Sequence, residues 1–228
     1  YKNILKNINP KPEDHILEIG CGWGGFMEYA IKHHNVKVTG LTISKAQHDF
    51  TKKRLFEAGL SERAKVLLTD YRNQKGQFDG IASIEMFEAV GEKYWPIYFN
   101  SLKNLMKNGA KSTLQIITIA DEIFPEYRKR VDFIQKYIFP GGMLPSKKAL
   151  EKQFLQVGLK SINLKSFGSS YSKTLRLWHS SFNSVWDDIA SVKFDDRFKR
   201  MWNFYLASCA AVFYSKTGDV IQVTLKKS

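Results

Sequence analysis

Two acidic residues follow an apolar run in the middle of the chain. Residues 81–84 read IASI, and Glu85 and Glu88 come next, around Met86 and Phe87. The run has the composition of a strand, and in open α/β sheets such strands end at the ligand crevice. A carboxylate there can hold a cation or stabilise developing positive charge. Both side chains are therefore candidates for chemistry, with a surface carboxylate or a turn cap as the alternatives.

A second chemical feature is the glycine-rich stretch LEIGCGWGG near the start of the chain. Gly20, Gly22 and Gly25 fit the dinucleotide pattern GxGxxG, but that pattern needs an acid at the end of the next strand to grip the ribose. Thr42 stands there instead, which disfavours NAD. The alternative is the ExGxG loop of an S-adenosylmethionine (SAM) methyltransferase, in which Glu18 helps to fix the cationic amino-acid end of the ligand.

The elements that must position these residues alternate between strand and helix. Apolar or β-branched runs predict the strands, and glycine turns, caps and polar faces predict the helices between them. The predicted strands are 14–20, 36–41, 65–69, 77–84, 110–119, 160–167 and 219–225. This alternation predicts an α/β, Rossmann-like fold: a mostly parallel seven-stranded sheet with helices on both faces.

The second half departs from this alternation and is rich in aromatic residues. Residues 120–145 are aromatic and basic and end in a turn-rich stretch, and helices are predicted at 146–157, 172–190 and 195–215. We therefore expect one methyltransferase domain over 1–228, in which segments 119–145 and 169–216 are helical additions that cover substrate.

The amino-acid composition limits the kinds of partner that the protein is expected to bind. Thirty-five Lys and Arg against 22 Asp and Glu give a net charge of +13, which favours anionic partners such as nucleic acid or a membrane surface, or else a merely solvated basic surface. Two distant cysteines fit a reducing compartment, and the five histidines show no metal-ligand spacing. The apolar run 201–215 is too short and too polar to span a bilayer. Because the chain opens at Tyr1, not at Met, we expect a further segment upstream.

Six motifs in order carry a family resemblance: IGCGWGGF, GLTISKAQ, DYR, SIEMFEAVG, YIFPGGMLPS and FGSSYSKTL. Together they resemble the cyclopropane-fatty-acyl-phospholipid synthase family, which is similar to the mycolic acid cyclopropane synthases. The resemblance covers essentially the whole chain. It implies SAM as cofactor and transfer of a methyl or methylene group to the double bond of unsaturated phospholipid acyl chains. A carbocation would lead to a cyclopropane or to a methyl-branched chain.

The resemblance also implies which residues hold the cofactor. They belong to the glycine loop, to the segment after the second strand and to the DYR motif: Glu18, Gly20, Gly22, Gly24, Thr42, Gln47, Asp70 and Tyr71. Thr42 and Gln47 would contact the ribose, and Asp70 would meet the adenine amino group. Ser44 in the same segment is predicted to be a helix N-cap.

The catalytic assignments follow from the resemblance as well. Glu88 and Tyr171 match residues that hold a bicarbonate ion, the family's general base, and Ile119 would contribute a backbone group. Where the family has histidine this chain has Ile117, so bicarbonate binding and the nature of the product remain open. A further family ligand, a cysteine, would lie before Tyr1. The acyl pocket is predicted to include Phe139, Tyr137 and Met143.

Other functions remain as alternatives. A nucleic-acid amino-methyltransferase is disfavoured because residues 83–86 read SIEM, without the expected prolines. A small-molecule C-, N- or O-methyltransferase and a non-catalytic SAM- or lipid-binding module stay open. The preferred interpretation is a cytoplasmic enzyme, peripheral at the inner membrane face, that works on acyl chains and not on nucleic acid. A homodimer is a state that the sequence leaves open.

Overall fold

The fold is centred on one seven-stranded sheet. The computed structural model describes residues 1–190 and 194–227. The strand order across the sheet is β3-β2-β1-β4-β5-β7-β6. The strands are β1 (His15–Ile19), β2 (Lys37–Thr42), β3 (Ala64–Leu68), β4 (Phe78–Ile84), β5 (Met106–Ile119), β6 (Leu159–Ser166) and β7 (Gly218–Lys227).

Ten α-helices precede, connect or follow the strands in the described part of the chain. They are α1 (Lys2–Ile8), α2 (Gly25–His34), α3 (Lys45–Glu57), α4 (Trp95–Leu105), α5 (Phe124–Tyr127), α6 (Phe133–Tyr137), α7 (Lys147–Val157), α8 (Gly168–Ser184), α9 (Trp186–Ala190) and α10 (Asp196–Tyr214).

The ladders between β1 and β2, β1 and β4, β2 and β3, and β4 and β5 are all parallel. Each is joined by a crossover connection, as parallel strands require. The predicted fold class, a Rossmann-like α/β sheet with helices between the strands, is therefore confirmed.

The chain divides into two compact units. The first comprises residues 1–116, 148–165 and 222–228, and the second comprises 117–147 and 166–221. The second unit nearly coincides with the two additions expected from the sequence, of which residues 191–193 lie outside the described residues. That the additions belong to one catalytic domain and cover substrate stays a prediction.

Each unit has its own apolar core. In the first, α1 and α2 pack on the sheet, and Ile4, Leu5, Phe26 and Met27 are all essentially inaccessible to solvent. In the second, α8 packs against α10 around Leu175, Leu206 and Phe213. Within the described residues, no helix is long and apolar enough to cross a membrane. Cys21 and Cys209 are both free thiols.

Some of the predicted helix and strand boundaries were wrong. The helix expected at 172–190 begins earlier, at Gly168, because the Asp219 carboxylate caps it by accepting a hydrogen bond from the Gly168 N–H at 2.8 Å. It also ends earlier, because Val185 leaves the helical region and α9 is a separate helix. β5 begins at Met106, four residues before its predicted start.

α1 and β4 approach each other closely at Gly80, and substitutions at this contact test how tightly the two elements pack. A Cβ at Gly80 would lie inside contact distance of Ile8 Cγ2 and 2.9 Å from Ile16 Cδ1. We therefore expect Gly80→Ala to lower the free energy of unfolding by about 1–3 kcal/mol through overpacking. Ile8→Ala alone should cost about 2–5 kcal/mol. Urea denaturation of both single variants and the double variant measures the coupling.

In this cycle the double variant should lose less stability than the sum of the two single losses, since Ile8→Ala makes room for the new methyl group. Additive losses would mean that the contact between Ile8 and Gly80 does not limit packing here.

Candidate active site

The parallel ladders bring the predicted cofactor residues of the first unit to one edge of the sheet. Glu18 pairs in register with Gly40 of β2 and Ala82 of β4. Thr42 is the last residue of β2, and Glu85 follows β4 directly. Because carboxyl ends of parallel strands share an edge, these polar groups converge where ligands bind in such sheets.

The glycine loop after β1 depends on left-handed backbone at three positions. Gly20, Gly22 and Gly24 have φ values of +80°, +51° and +81°. A side chain is strained in this region, so glycine is required for the turn. Gly25 is instead the first residue of α2. The left-handed glycines are thus those of the ExGxG interpretation, and a Cβ at Gly22 would meet no atom within 4 Å, which leaves the backbone open to a ligand.

Hydrogen bonds fix the loop against β2 and α3. The N–H groups of Gly20 and Cys21 both donate to the Leu41 carbonyl, at 3.0 and 2.8 Å. The Thr51 hydroxyl donates to the Gly22 carbonyl at 3.0 Å. The loop is therefore preformed.

Glu18 lies beneath this loop as a buried acid. Only 3% of the residue is exposed, and its Oε2 atom has no hydrogen-bond partner among the described residues. Burial raises the pKa of Glu18 to about 8. A buried carboxylate without a compensating charge is costly. The orphaned oxygen thus fits a ligand that brings a cationic group, as the amino-acid end of SAM does.

Thr42 and Gln47 form one polar pair at the end of β2. The Thr42 hydroxyl donates to Gln47 Oε1 at 2.8 Å, so the Nε2 group is the donor end of the Gln47 amide that this bond does not use. Ser44 caps α3 by accepting a hydrogen bond from the Gln47 N–H, as predicted. That Thr42 and Gln47 bind a ribose stays a prediction.

Asp70 and Tyr71 follow β3 in a short 3₁₀ turn. The Asp70 carboxylate caps the turn and accepts two hydrogen bonds from the Arg72 guanidinium, at 2.9 and 2.7 Å, and these hold its pKa below the usual range. The Tyr71 ring packs edge-on against Tyr98 at 5.3 Å. These positions suit the predicted adenine contacts without testing them.

Glu88 lies in a 3₁₀ turn after β4, Phe87–Ala89, and is half-buried. The turn is anchored by Phe87, whose buried ring packs against Tyr98 and Trp95 at 5.0 and 5.5 Å. Sequence reasoning missed Tyr98. It is fully buried, and burial, with a smaller contribution from the charge of Glu88, raises its pKa. In the sequence, Tyr98 is one of several aromatic residues of α4, and nothing there marks it as a site residue.

The remaining predicted residues belong to the second unit. Ile119 ends β5 and donates its N–H to the Pro145 carbonyl. Tyr171, on α8, packs against Phe213 and Trp178 at 5.0 and 6.0 Å. Ile117 packs against the same apolar cluster.

The three predicted pocket residues lie close together along the chain of this unit. Tyr137 and Phe139 are 49% and 56% exposed, whereas Met143 is half-buried. The Phe139 ring contacts Tyr205 of α10 at 6.1 Å. Their role in substrate binding stays a prediction, as do the catalytic roles of Glu88, Tyr171 and Ile119.

Two of the solved structures that are similar to this fold are cyclopropane synthases. Mycolic acid cyclopropane synthase CmaA1, complexed with SAH and CTAB, matches with a TM-score of 0.91 at 27% identity over 99% of this chain and 82% of that one. The cyclopropane synthase MmaA2 from Mycobacterium tuberculosis matches equally well. The fold and the loop over a buried acid therefore define a class I SAM-dependent methyltransferase.

The sequence comparison is more specific. The profile of the mycolic acid cyclopropane synthetase family matches residues 1–223, so the chain belongs to that family. It is 39% identical to tuberculostearic acid methyltransferase UfaA1 of Mycobacterium tuberculosis, over 92% of this chain and 49% of that protein. It is 36% identical to cyclopropane-fatty-acyl-phospholipid synthase of Escherichia coli, over 99% of this chain and 56% of that protein.

The predicted family, the methyltransferase class and SAM as cofactor are thus confirmed. The chain spans about half the length of these two curated relatives.

The buried acid predicts an unusual pH dependence of stability. Without ligand, the folded protein keeps a proton on Glu18 up to pH of about 8, whereas the unfolded chain releases it above about 4.5. Glu18 therefore lowers the free energy of unfolding as pH rises through that window, by at most about 1.4 kcal/mol per pH unit. Urea denaturation of wild type and Glu18→Gln at pH 5, 6.5 and 8 isolates this contribution, since glutamine does not titrate.

We expect the stability of wild type relative to Glu18→Gln to fall between pH 5 and pH 8. A difference that stays constant with pH would show that Glu18 is ionised in the folded state.

Proposed function

We propose that this protein transfers a methyl or methylene group from SAM to the double bond of unsaturated fatty-acyl chains of phospholipids. The observation that carries the proposal is the orphaned Glu18 carboxyl beneath three left-handed glycines, in a chain of this family. The whole protein's activity and substrate are inferred, because the chain covers only part of its relatives' length.

When bound, SAM supplies an electrophilic methyl group on a sulfonium. The chain's own residues have three tasks around it. Glu18, once ionised, holds the ligand's ammonium group, which offsets the cost of its burial. The glycine loop lets backbone approach the ligand, and the Gln47 amide meets the ribose. Asp70 and Tyr71 receive the adenine.

For this reaction, holding the alkene near the methyl group and excluding water from the site matter more than activating the alkene as a nucleophile. Its π electrons form the new C–C bond while the C–S bond breaks and leaves its electron pair on sulfur, so a carbocation remains on the acyl chain. We infer that the Glu88 carboxylate stabilises that charge. Loss of a proton from the new methyl then closes a cyclopropane.

A methyl-branched chain is the second candidate product. The Ile117 side chain packs against an apolar cluster and has no group that binds a proton or a bicarbonate ion. If no base takes a proton from the new methyl group, the carbocation can lose a proton from a neighbouring chain carbon instead, which leaves a methyl-branched chain that keeps one double bond. The similarity to tuberculostearic acid methyltransferase supports keeping this product beside the cyclopropane. Bicarbonate as general base stays part of the cyclopropane proposal, with Glu88 as the residue of the first unit that would hold it.

The second unit offers apolar surface for an acyl chain. Tyr137 and Phe139 expose about half of their surface, and Met143 is an adaptable apolar side chain. We infer that these residues line the acyl site.

Association with an anionic membrane would bring the enzyme to this substrate. The basic run Arg128, Lys129 and Arg130 is exposed and lies next to Val131, which is 75% exposed. Basic groups beside exposed apolar side chains suit the surface of an anionic bilayer.

The central test is lipid analysis by mass spectrometry of cells that express the complete protein, either wild type or Glu88→Gln. Wild type should add one CH₂ to unsaturated acyl chains. Glu88→Gln should keep SAM binding but lose about 100-fold or more in turnover, since the carboxylate is lost where charge develops. Glu62→Gln, an exposed acid, is the matched control and should keep full activity.

Methylation of another substrate class with every lipid unchanged would contradict the proposed function. Full activity of Glu88→Gln would contradict the role of Glu88 alone.

Membrane association has its own test. Charge reversal by Arg128→Glu with Arg130→Glu should weaken binding to vesicles rich in anionic lipid at least about tenfold, because each basic residue near such a surface contributes about 1 kcal/mol. Lys52→Glu with Lys75→Glu changes the net charge equally at exposed positions and serves as control. Vesicle sedimentation measures both pairs, and equal weakening by both would point to net charge and not to this surface.

A further inference from the structure

The second acid after β4, Glu85, is clamped at two points by one residue. Its backbone N–H donates to the Gln115 carbonyl at 2.9 Å, and its Oε1 accepts from Gln115 Nε2 at 2.7 Å. Glu85 also has φ of +49°. For a residue with a Cβ this conformation costs about 1–2 kcal/mol, and it persists where the surroundings impose it.

Gln115 is itself one link of a chain of side-chain amides within the first unit. Its Oε1 accepts a hydrogen bond from Gln222 Nε2 of β7 at 2.8 Å. The Oε1 of Gln222 in turn accepts from Asn3 Nδ2 of α1. Gln222 is only 7% exposed. Three residues that are far apart in sequence therefore form one connected line that ends at Glu85.

The carboxylate at the end fixes the direction of the whole line. An ionised carboxylate only accepts hydrogen bonds, so Gln115 must turn its NH₂ toward Glu85 and its oxygen toward Gln222. Gln222 must then turn its NH₂ toward Gln115 and its oxygen toward Asn3. All three amides donate toward Glu85, and hydrogen bonds aligned in this way polarise one another. This arrangement suits a negative charge that is held in place.

Several contacts bring this charge to the glycine loop. The Ser83 hydroxyl donates to the Ile19 carbonyl at 3.1 Å and ties the ends of β4 and β1 together. A Cβ at Gly20 would lie 2.5 Å from the side chain of Met86, the residue after Glu85.

The pKa of the Tyr1 phenol, which packs against α2, is further evidence that Glu85 and Glu18 lie near one another. Burial and the charges of Glu18 and, more weakly, Glu85 raise its pKa, while Arg54 lowers it. Glu85 and the orphaned oxygen of Glu18 thus belong to one electronegative site.

We propose that Glu85, held by the amide line Asn3–Gln222–Gln115, is a cofactor-binding residue that faces the sulfonium of SAM, while Glu18 takes the ammonium. The inference rests on the proposed function, because it assumes this ligand. Two fixed carboxylates match two cationic groups. After transfer the sulfur of the product is neutral, so Glu85 favours the charged cofactor over the spent one and thereby assists their exchange.

The test compares the affinities for SAM and for S-adenosylhomocysteine (SAH), which differ in the charge on sulfur. Isothermal titration calorimetry of the complete protein measures both. Glu85→Gln should weaken SAM binding about three- to tenfold, as expected for a partly exposed charge pair, and leave SAH binding within about twofold. Gln115→Leu should produce a smaller loss in the same direction, because it releases the carboxylate without removing it.

The control is Glu57→Gln, which removes one exposed acid of α3 and should change neither affinity. A double variant Glu85→Gln/Gln115→Leu should lose no more SAM selectivity than Glu85→Gln alone, since both act through one carboxylate. Thermal unfolding of each variant checks that the fold is retained.

Equal loss of SAM and SAH affinity in Glu85→Gln, or no loss of either, would overturn the inference and leave the proposed function standing. Failure of lipid methylation in cells, with the SAM selectivity of Glu85 intact, would instead overturn the proposed function alone.

Discussion

The site depends on the parallel pairing of β1 with two neighbours, β2 on one side and β4 on the other. This pairing forces three strands to end at one edge. After β1 the backbone turns through left-handed glycines, and the N–H groups of Gly20 and Cys21 both donate to the Leu41 carbonyl. The positions of Glu18, Thr42 and Glu85 follow from that geometry, and the pairing of β2 with β3 adds Asp70 and Tyr71.

This arrangement lowers the stability of the folded protein when no ligand is bound. A carboxyl that is 3% exposed with one unpaired oxygen, and a glutamate held at φ of +49°, both destabilise the chain without ligand. In natural proteins, residues that depart from the usual preferences for backbone conformation and polar pairing occur mainly at functional sites. In this structure the two irregularities occur at the same sheet edge, which is why they are better explained by a cationic ligand than by packing.

Much of this could be predicted from the sequence, because the signals are local. The order of strands and helices follows from apolar periodicity, the loop from its glycines, and the start of α3 from Ser44. The structure places most of the predicted site residues of the first unit at or just beyond the carboxyl ends of β1 to β4, with Gln47 in α3, and their roles stay predictions.

Long-range contacts could not be predicted in this way. The cap of α8 comes from Asp219, 51 residues away, and the amide line joins Asn3 to Gln222 across 219 residues. A weak signal for the line did exist. Gln115 and Gln222 each interrupt an apolar strand, in TLQIITI and VIQVTL, and a polar residue at such a place needs a partner. The sequence alone gives no way to identify that partner.

The most direct measurement of the central claim is transfer of isotope from SAM carrying a trideuterated methyl group. The complete protein would be incubated with this cofactor and vesicles of unsaturated phospholipid, followed by mass spectrometry of the acyl chains. Ring closure predicts acyl chains with two deuterium atoms, and a methyl branch formed by loss of a neighbouring proton predicts three. Deuterium absent from every acyl chain, while the cofactor is consumed on another acceptor, would contradict the account.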